Sequence, residues 1–338
     1  MLEGGRKMQI IKFRTKIEIV SVLIFILLLV VVSVAALNRT ITNSGDNFDT
    51  FIRNSKGHYW DCIGSNIQLA INDLGSDGGS VIVGSAVTLN SPLRPKNYVQ
   101  IDFQGNFVTL GSDISFVNVS ACQYAAVRNV NVKLTEYHTA PIILLFIPIN
   151  GQWEDRVRYN TFENINIFHH NSHWIEGIGW REHNYTGICL EVNAGNMLYN
   201  TFTNIKMDGV KNGIHFKMTK TTGWSNGNYF DNIWIDQFVT MINFEVTPDP
   251  PLGCAFNVFQ DVKGQSATFS IDGVKNIKGQ GNHFYGCVVW DWWVVTNPHY
   301  EWSLTSDAFD TVISAHYMSA NVLNNGINTM YIGEKPGA

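Results

Sequence analysis

The chain has 338 residues, of which 45% are hydrophobic, 12% aromatic and only 15% charged. The charged fraction is below the roughly 25% of an ordinary soluble domain. Asn, Gly, Ser and Thr supply the polarity instead, which is typical of turn-rich β proteins and argues against a helical bundle. The net charge is −5, and basic residues cluster only at the N-terminus, up to Lys16, so the sequence predicts no nucleic-acid partner.

The segment from Ile19 to Leu37 carries no charge and would form roughly 28 Å of helix, close to the hydrocarbon thickness of a bilayer. Five basic residues precede it: Arg6, Lys7, Lys12, Arg14 and Lys16. The positive-inside bias therefore predicts a membrane anchor at residues 19–37, with the C-terminal part of the chain extracellular. A cleaved signal peptide is the alternative, because Ser33-Val34-Ala35 offers a cleavage site that would release a secreted protein.

Three Asn-x-Ser/Thr triplets begin at Asn38, Asn118 and Asn184, and are candidate glycosylation sites of an exported chain. The 5 cysteines are widely scattered and form neither a disulfide framework nor a CxxC metal-binding pattern. The sequence predicts no cofactor and no metal.

Five six-residue segments align without gaps, and they begin at Asn160, Asn200, Asn228, Asn257 and Asn282, at spacings of 40, 28, 29 and 25 residues. Their third residue is always a phenylalanine: Phe162, Phe202, Phe230, Phe259 and Phe284. Their fifth residue is of a type that tolerates left-handed backbone: Asn164, Asn204, Asn232, Asp261 and Gly286.

Apolar residues alternate on both sides of the fifth position, which predicts two short strands meeting at a one-residue bend with each Phe inward. A third strand per repeat is predicted at 187–192, 213–218, 241–246 and 268–273. A repeat of this length buries its apolar face by stacking on its neighbours. The pattern therefore predicts an all-β fold of stacked coils, a parallel β-helix. A β-sandwich, the alternative, would not repeat the bend in register.

The N-terminal part of the repeat region, residues 67–74 followed by 78–83, 91–93 and 99–105, resembles the first coils of pectin-lyase-like right-handed β-helices. The resemblance implies a single-stranded right-handed β-helix whose open end is closed by a helix. Ile67, Ala70, Ile71 and Leu74 form one apolar helical face, and Ser65 is the candidate N-cap.

Five segments follow from this organisation: a basic cytoplasmic segment (1–18), the anchor (19–37), a linker (38–60), the β-helix (61–290), and an end cap or oligomer contact (291–338). The aromatic-rich final segment suggests a homo-oligomer.

Enzymes that resemble this fold usually work on one strand face bordered by long loops. Outward positions of the third strand form two columns: Cys189, His215, Asn243 and Ser270; and Glu191, Lys217, Glu245 and Asp272. The second column and His215 are the candidate catalytic residues. In the second column, Lys217 could keep one carboxylate ionised while Glu245 and Asp272 repel each other, as a hydrolase requires. The alternative is a cross-strand charge ladder that stabilises the sheet and binds no substrate.

Asp208 and Asp236 each follow the repeated motif at the same distance, so we expect them on neighbouring coils as an alternative catalytic pair. The segment around Asp236 is similar to a pectate lyase motif, although Gln237 stands where that motif has His. Turn chemistry is the competing explanation for both aspartates.

An insertion at 169–183 accounts for the longest spacing and is predicted to project beside the third-strand face. Trp174 and Trp180 in this loop could stack on sugar rings, and Asn243 could bind substrate. The leading hypothesis is thus an exported, membrane-anchored β-helix that binds polysaccharide and, as an open question, cleaves it as a lyase or hydrolase. The rival hypothesis is a non-enzymatic structural or adhesive spike.

Overall fold

The computed structural model describes residues 50–134, 138–148, 156–169, 174–175, 179–180, 184–218, 223–246, 253–266, 272–291, 302–315 and 322–332. These residues form strands and a single helix, so the fold is all-β. The predicted membrane anchor at residues 19–37 and the candidate glycosylation site Asn38 lie outside this part of the chain. Within it, no helix has the length and apolar character needed to cross a bilayer.

The N-terminal half contains helix α1 and thirteen strands. They are β1 (Ile52–Asn54), β2 (Tyr59–Trp60), α1 (Gly64–Leu74), β3 (Gly79–Val83), β4 (Val87–Leu89), β5 (Val99–Asp102), β6 (Phe107–Leu110), β7 (Val117–Val119), β8 (Ala126–Leu134), β9 (Ile143–Ile147), β10 (Arg156–Arg158), β11 (Thr161–His169), β12 (Trp174–Ile175) and β13 (Gly179–Trp180).

The described part of the C-terminal half consists of strands. They are β14 (Thr186–Val192), β15 (Gly195–Leu198), β16 (Thr201–Met218), β17 (Gly223–Asn226), β18 (Tyr229–Val246), β19 (Val258–Gln260), β20 (Lys263–Ser266), β21 (Asp272–Gln280), β22 (His283–Asp291), β23 (Trp302–Phe309), β24 (Val312–Ala315), β25 (Val322–Asn324) and β26 (Met330–Ile332).

Strands pair in parallel with strands one repeat away, and we call each such repeat a coil. The motif phenylalanines align in register, Phe162 with Phe202, Phe202 with Phe230, and onward through Phe259 to Phe284. Among described strands, only β1–β2, β1–β3 and β12–β13 pair antiparallel. Parallel pairing continues through β23–β25 and β24–β26, so described strands stack beyond the last recognisable motif.

The bend at the fifth motif position is confirmed. Asn164, Asn204, Asn232, Asp261 and Gly286 all have positive φ, between 49° and 60°. Carboxamides at this bend also bond along the outer surface, for example Asn232 Nδ2 to Asn204 Oδ1 at 2.7 Å. The repeated short polar residue therefore turns the chain and links one coil to the next.

The core is a column of stacked apolar side chains. The rings of Phe202, Phe230, Phe259 and Phe284 are buried and nearly parallel, with centroids 4.6 to 4.9 Å apart. The predicted third strands at 187–192, 213–218 and 241–246 are present, and their inward residues are buried: Ile188, Leu190, Ile214, Phe216, Ile242 and Phe244. Cys287 is likewise buried, as expected of an inert thiol, and burial raises its pKa to about 12. All five cysteines are free.

Helix α1 packs on β1, β3 and β4 at the N-terminal end of the stack. Its predicted apolar face is confirmed, because Ile67, Ala70, Ile71 and Leu74 are buried. The predicted N-cap is wrong: the helix begins at Gly64, Ile63 occupies the cap position, and no side chain caps it. Ser65 therefore lies within the first helical turn.

A buried ladder of asparagines connects five coils. It consists of the first residues of the motifs, Asn160, Asn200, Asn228, Asn257 and Asn282, which are at most 1% exposed. Each Nδ2 donates to the next Oδ1 at 3.0 to 3.1 Å. The same Oδ1 also accepts the backbone N–H of the preceding asparagine of the ladder, at 3.0 to 3.2 Å. Because unpaired buried amides are costly, this ladder holds the coils at a defined register.

A second, exposed ladder consists of Tyr98, Tyr124, Tyr159 and Tyr199, whose rings stack at 4.9 to 5.4 Å. All four have positive φ, from 56° to 62°. Left-handed backbone costs a bulky residue roughly 1–2 kcal/mol, or about 4–8 kcal/mol for the four. Three stacked pairs contribute roughly 1.5–4.5 kcal/mol. The two ranges overlap, so stacking is of the same order as the strain.

We predict that Asn228→Ala lowers the free energy of unfolding by about 3 kcal/mol. The change removes the acceptor of both the Asn200 backbone N–H and one Asn200 Nδ2 hydrogen, at roughly 1–3 kcal/mol per buried unpaired group, while Asn257 Oδ1 keeps the backbone N–H of residue 228. Asn232→Gly is the matched control, because it keeps the left-handed bend and removes only an exposed amide pair. Equal losses in urea denaturation would contradict a special role for the buried ladder.

Candidate active site

The charged column of the third strand is brought together in part. Glu191, Lys217 and Glu245 lie in register on β14, β16 and β18. Lys217 Nζ is 3.2 Å from Glu191 Oε2, and His215 Nε2 is 3.0 Å from Glu245 Oε2. Lys217 pairs with Glu191 and the His215 ring hydrogen-bonds Glu245, which favours the cross-strand ladder.

Titration properties of this column agree with a ladder. Burial works against the charge of Lys217, but Glu191 and Glu245 outweigh it and raise the Lys217 pKa. Burial lowers the pKa of His215, and Glu245 opposes that effect. Burial also raises the pKa of the neighbouring Cys189 to about 12, so this thiol is no nucleophile at neutral pH.

Asp272 does not join the column. The structure aligns Asp272 with Thr240, and Lys275 with Asn243. The chain reaches the third strand later in this coil than in the preceding one, so the motif-based alignment with Glu245 was wrong. The expected repulsion between Glu245 and Asp272 therefore has no geometric basis. Asn243 donates to Asn212 Oδ1 at 3.3 Å.

The insertion and the glycosylation candidates are described only in part. Trp174 and Trp180 face each other as backbone partners in the antiparallel pair β12–β13, and their side chains lie outside the described part of the chain. Asn184 is exposed. Asn118 is half-buried in β7, and its Oδ1 is buried with no partner among described residues, which makes it a poor acceptor for a glycan.

Asp208 and Asp236 are direct neighbours on β16 and β18, as predicted. They alternate with the buried Met207 and Ile235 and therefore face outward. Gly209 and Gln237 follow with positive φ, so both carboxyls stand at a bend. None of the ion pairs between described residues includes either aspartate.

The electrostatics of this pair differ from those of ordinary turn aspartates. In an ordinary turn, hydrogen bonds to the carboxylate lower the pKa of the aspartate. Burial, followed by repulsion from Asp236, raises the pKa of Asp208 to about 6. Burial also raises the pKa of Asp236, against hydrogen bonds from Gln237. Asp208 Oδ1 is buried and has no hydrogen-bond partner among described residues. Asp208 therefore keeps its proton to a higher pH than an ordinary aspartate does.

An amide-lined groove lies on the same outer face. It has a volume of about 530 Å³ and exposes five carboxamide residues: Gln104, Asn129, Asn131, Asn164 and Asn166. Asn166 aligns with Lys206, and Lys206 with Trp234, two residues before Asp208 and Asp236. Amides, an indole and two carboxyls thus follow one face of the stack, a combination suited to sugar hydroxyls and rings.

Sequence reasoning did not single out the groove, Trp234 as part of this face, or the buried asparagine ladder. The repeated Asn at the first motif position was a usable signal for the ladder. The groove lies at two repeated positions, Asn129 with Asn164 and Asn131 with Asn166, but Asn129 and Asn131 precede the first recognisable motif, so the aligned motifs did not reveal it.

Comparison of the chain with protein-family models and with curated proteins gives no match. The resemblance to pectin-lyase-like proteins therefore stays a prediction.

We predict that Lys217→Met lowers the free energy of unfolding by less than about 1 kcal/mol, and that 1 M salt abolishes the difference, because cross-strand ion pairs are weak and screened. Lys211→Met, an exposed change on the same strand, is the control. A loss above about 3 kcal/mol would contradict a ladder role.

We predict that Asp208→Asn stabilises the protein at pH 7 by about 1 kcal/mol, after allowance for solvent screening. The folded-state pKa of about 6 exceeds the ordinary 3.8, so the carboxyl's contribution to stability falls as pH rises between these values. The gain should vanish at pH 3.5 in thermal melts. A gain of the same size at both pH values would contradict the raised pKa.

Proposed function

We propose that the chain is an exported, membrane-anchored protein whose coils form a right-handed single-stranded parallel β-helix, and that it binds and hydrolyses a polysaccharide. Residues 19–37 provide the anchor. The observation that supports catalysis is the neighbouring carboxyl pair Asp208–Asp236, in which both pKa values are raised. The pectin-lyase-like resemblance supports the architecture, together with the parallel coil-to-coil register.

The spacing of the pair suits a retaining glycosidase. Neighbouring parallel strands lie about 4.8 Å apart, close to the roughly 5–5.5 Å between the carboxyls of retaining enzymes. The raised pKa of Asp208 suits a general acid at mildly acidic pH, and Asp236 has the role of nucleophile.

The reaction has two steps. Asp236 attacks the anomeric carbon while Asp208 gives its proton to the glycosidic oxygen, which leaves as the alcohol end of the cleaved chain. Asp208, now ionised, then takes a proton from water, whose oxygen displaces Asp236 from the sugar. Both carboxyls return to their starting states, and one glycosidic bond has been hydrolysed.

The groove and Trp234 support polysaccharide as the substrate class. In the groove, Asn166 donates to Asn131 Oδ1 at 2.9 Å, which uses one donor of a group that has two. Such ladders offer further donors and acceptors at coil spacing, suited to a chain of repeating sugar hydroxyls. A lyase would rely on cations to neutralise substrate carboxylates, and the unpaired acidic pair favours hydrolysis.

A non-enzymatic spike is the second candidate. The paired charges of Glu191, Lys217, His215 and Glu245 favour it, because they serve the sheet alone. The buried asparagine ladder would give such a rod its stiffness.

We predict that the full chain, purified in a non-glycosidic detergent, releases reducing ends from at least one of polygalacturonate, xylan, mannan and mixed-linkage β-glucan. Asp208→Asn and Asp236→Asn should each reduce the rate by at least about 100-fold, since general acid catalysis alone contributes 10²–10⁴-fold. Asp231→Asn, an outward change on the same strand as Asp236, is the matched control. Folded protein that cleaves none of the polymers would favour the spike.

We predict that cleavage falls as pH rises through about 6, because Asp208 must be protonated to act as the acid. The rate should lose about tenfold per unit well above that pH. A rate that still increases between pH 6 and 8 would exclude Asp208 as the acid.

A further inference from the structure

The exposed tyrosine ladder occupies one corner of successive coils. At this corner each residue donates its backbone N–H to the next coil: Tyr199 to Asn226 O, Gly227 to Ala255 O, Phe256 to Gln280 O and Gly281 to Phe309 O. The equivalent residues in chain order are therefore Tyr98, Tyr124, Tyr159, Tyr199, Gly227, Phe256, Gly281 and Asp310. The aromatic series is interrupted at Gly227 and ends at Phe256.

Aromatic residues are an unfavourable choice for this corner. Tyr199 and Phe256 both have a φ of 56°, and they are 52% and 58% exposed. The glycines show that the corner does not require a side chain. Phe256 has a glycine on either side at this corner, so no ring stacking along the corner offsets its backbone strain, and its exposed ring calls for a further role.

The interruption at Gly227 leaves a slot between two rings. The Tyr199 ring leans over Gly227, with Cε1 2.6 Å from the position a Cβ would take there. The Phe256 ring leans over Gly281 in the same way, with Cδ1 at 2.7 Å. Both rings lean toward the following coil, so they stay two coils apart, roughly 9.6 Å at the strand spacing of about 4.8 Å.

This width suits one non-planar ring. Carbon atoms in contact lie about 3.5–4.0 Å apart, so a flat ring held between two others needs roughly 7–8 Å. A puckered sugar ring is thicker and fits the remaining space. Next to the slot, Asn226 Oδ1 accepts the Ala255 N–H at 2.7 Å, which fixes a carboxamide within reach of ligand hydroxyls.

We propose that Tyr199 and Phe256 form a binding site for a single pyranose ring, held between the two aromatic faces in the space that a ring at position 227 would fill. The site lies at a different corner from Asp208 and Asp236. It rests on the proposed function only for the class of ligand, and it would anchor a glycan away from the point of cleavage.

The test uses the full chain in a non-glycosidic detergent, with methyl β-D-galactopyranoside and methyl β-D-glucopyranoside as probes in saturation-transfer NMR. We expect saturation of the ring protons on the apolar face of at least one probe. Gly227→Tyr completes the aromatic ladder and fills the slot, so it should weaken binding at least tenfold. Gly281→Tyr is the matched control, because it adds the same ring beyond Phe256 and leaves the slot open.

Phe256→Asn provides a second variant that tolerates the left-handed backbone and removes one wall, and it should also weaken binding at least tenfold. The proposal would be overturned if saturation were transferred to neither probe, or if Gly227→Tyr bound the probes as tightly as the native chain does. A dimer of the native chain that Gly227→Tyr dissociates would also overturn it, because that result would assign the slot to a second copy. The two proposals fail separately: probe binding by Gly227→Tyr tests this site, and polysaccharide cleavage by Asp208→Asn tests the other, which lies at a different corner of the coils.

Discussion

The buried asparagine ladder is the interaction on which the rest of the structure depends. Each carboxamide from Asn160 to Asn282 satisfies both the side chain and the backbone N–H of its neighbour. A slip by one residue would place an unpaired amide in the core and turn every inward side chain outward. The ladder therefore fixes the register that stacks the phenylalanines inside and aligns the polar columns outside.

That register creates the unusual chemistry at Asp208 and Asp236. Neither side chain is exceptional alone, and each stands at an ordinary bend. Placed on neighbouring strands and half-buried, they repel each other and raise the pKa of Asp208 to about 6. Equivalent alignment on the third strand has the opposite outcome, because Lys217 stands between the two carboxylates and pairs with Glu191, and His215 hydrogen-bonds Glu245. The same spacing between coils thus gives a stabilising charge ladder on one face and a pair of mutually repelling carboxyls on another.

Much of this arrangement was predictable where one residue type repeats at one position. The Phe column, the left-handed bend and the Asp208–Asp236 adjacency followed from the aligned motifs, because a parallel repeat keeps equivalent residues in contact. Asp272 was misaligned because its coil is longer before the third strand, and loop length is not encoded in the motif. Ser65 was misassigned because Gly64 already adopts helical geometry. The tyrosine corner was missed because aromatic residues seldom adopt left-handed backbone.

The central claim is that the stacked coils hold a single proton at Asp208. The direct measurement is a carbon-13 NMR titration of the aspartate carboxyls in the full chain, with the Asp208 signal assigned by its loss in Asp208→Asn. We expect the Asp208 carboxyl to titrate near pH 6, and its pKa to fall in Asp236→Asn, because the neighbouring negative charge is removed. A titration near the ordinary value of 3.8 in both proteins would contradict it.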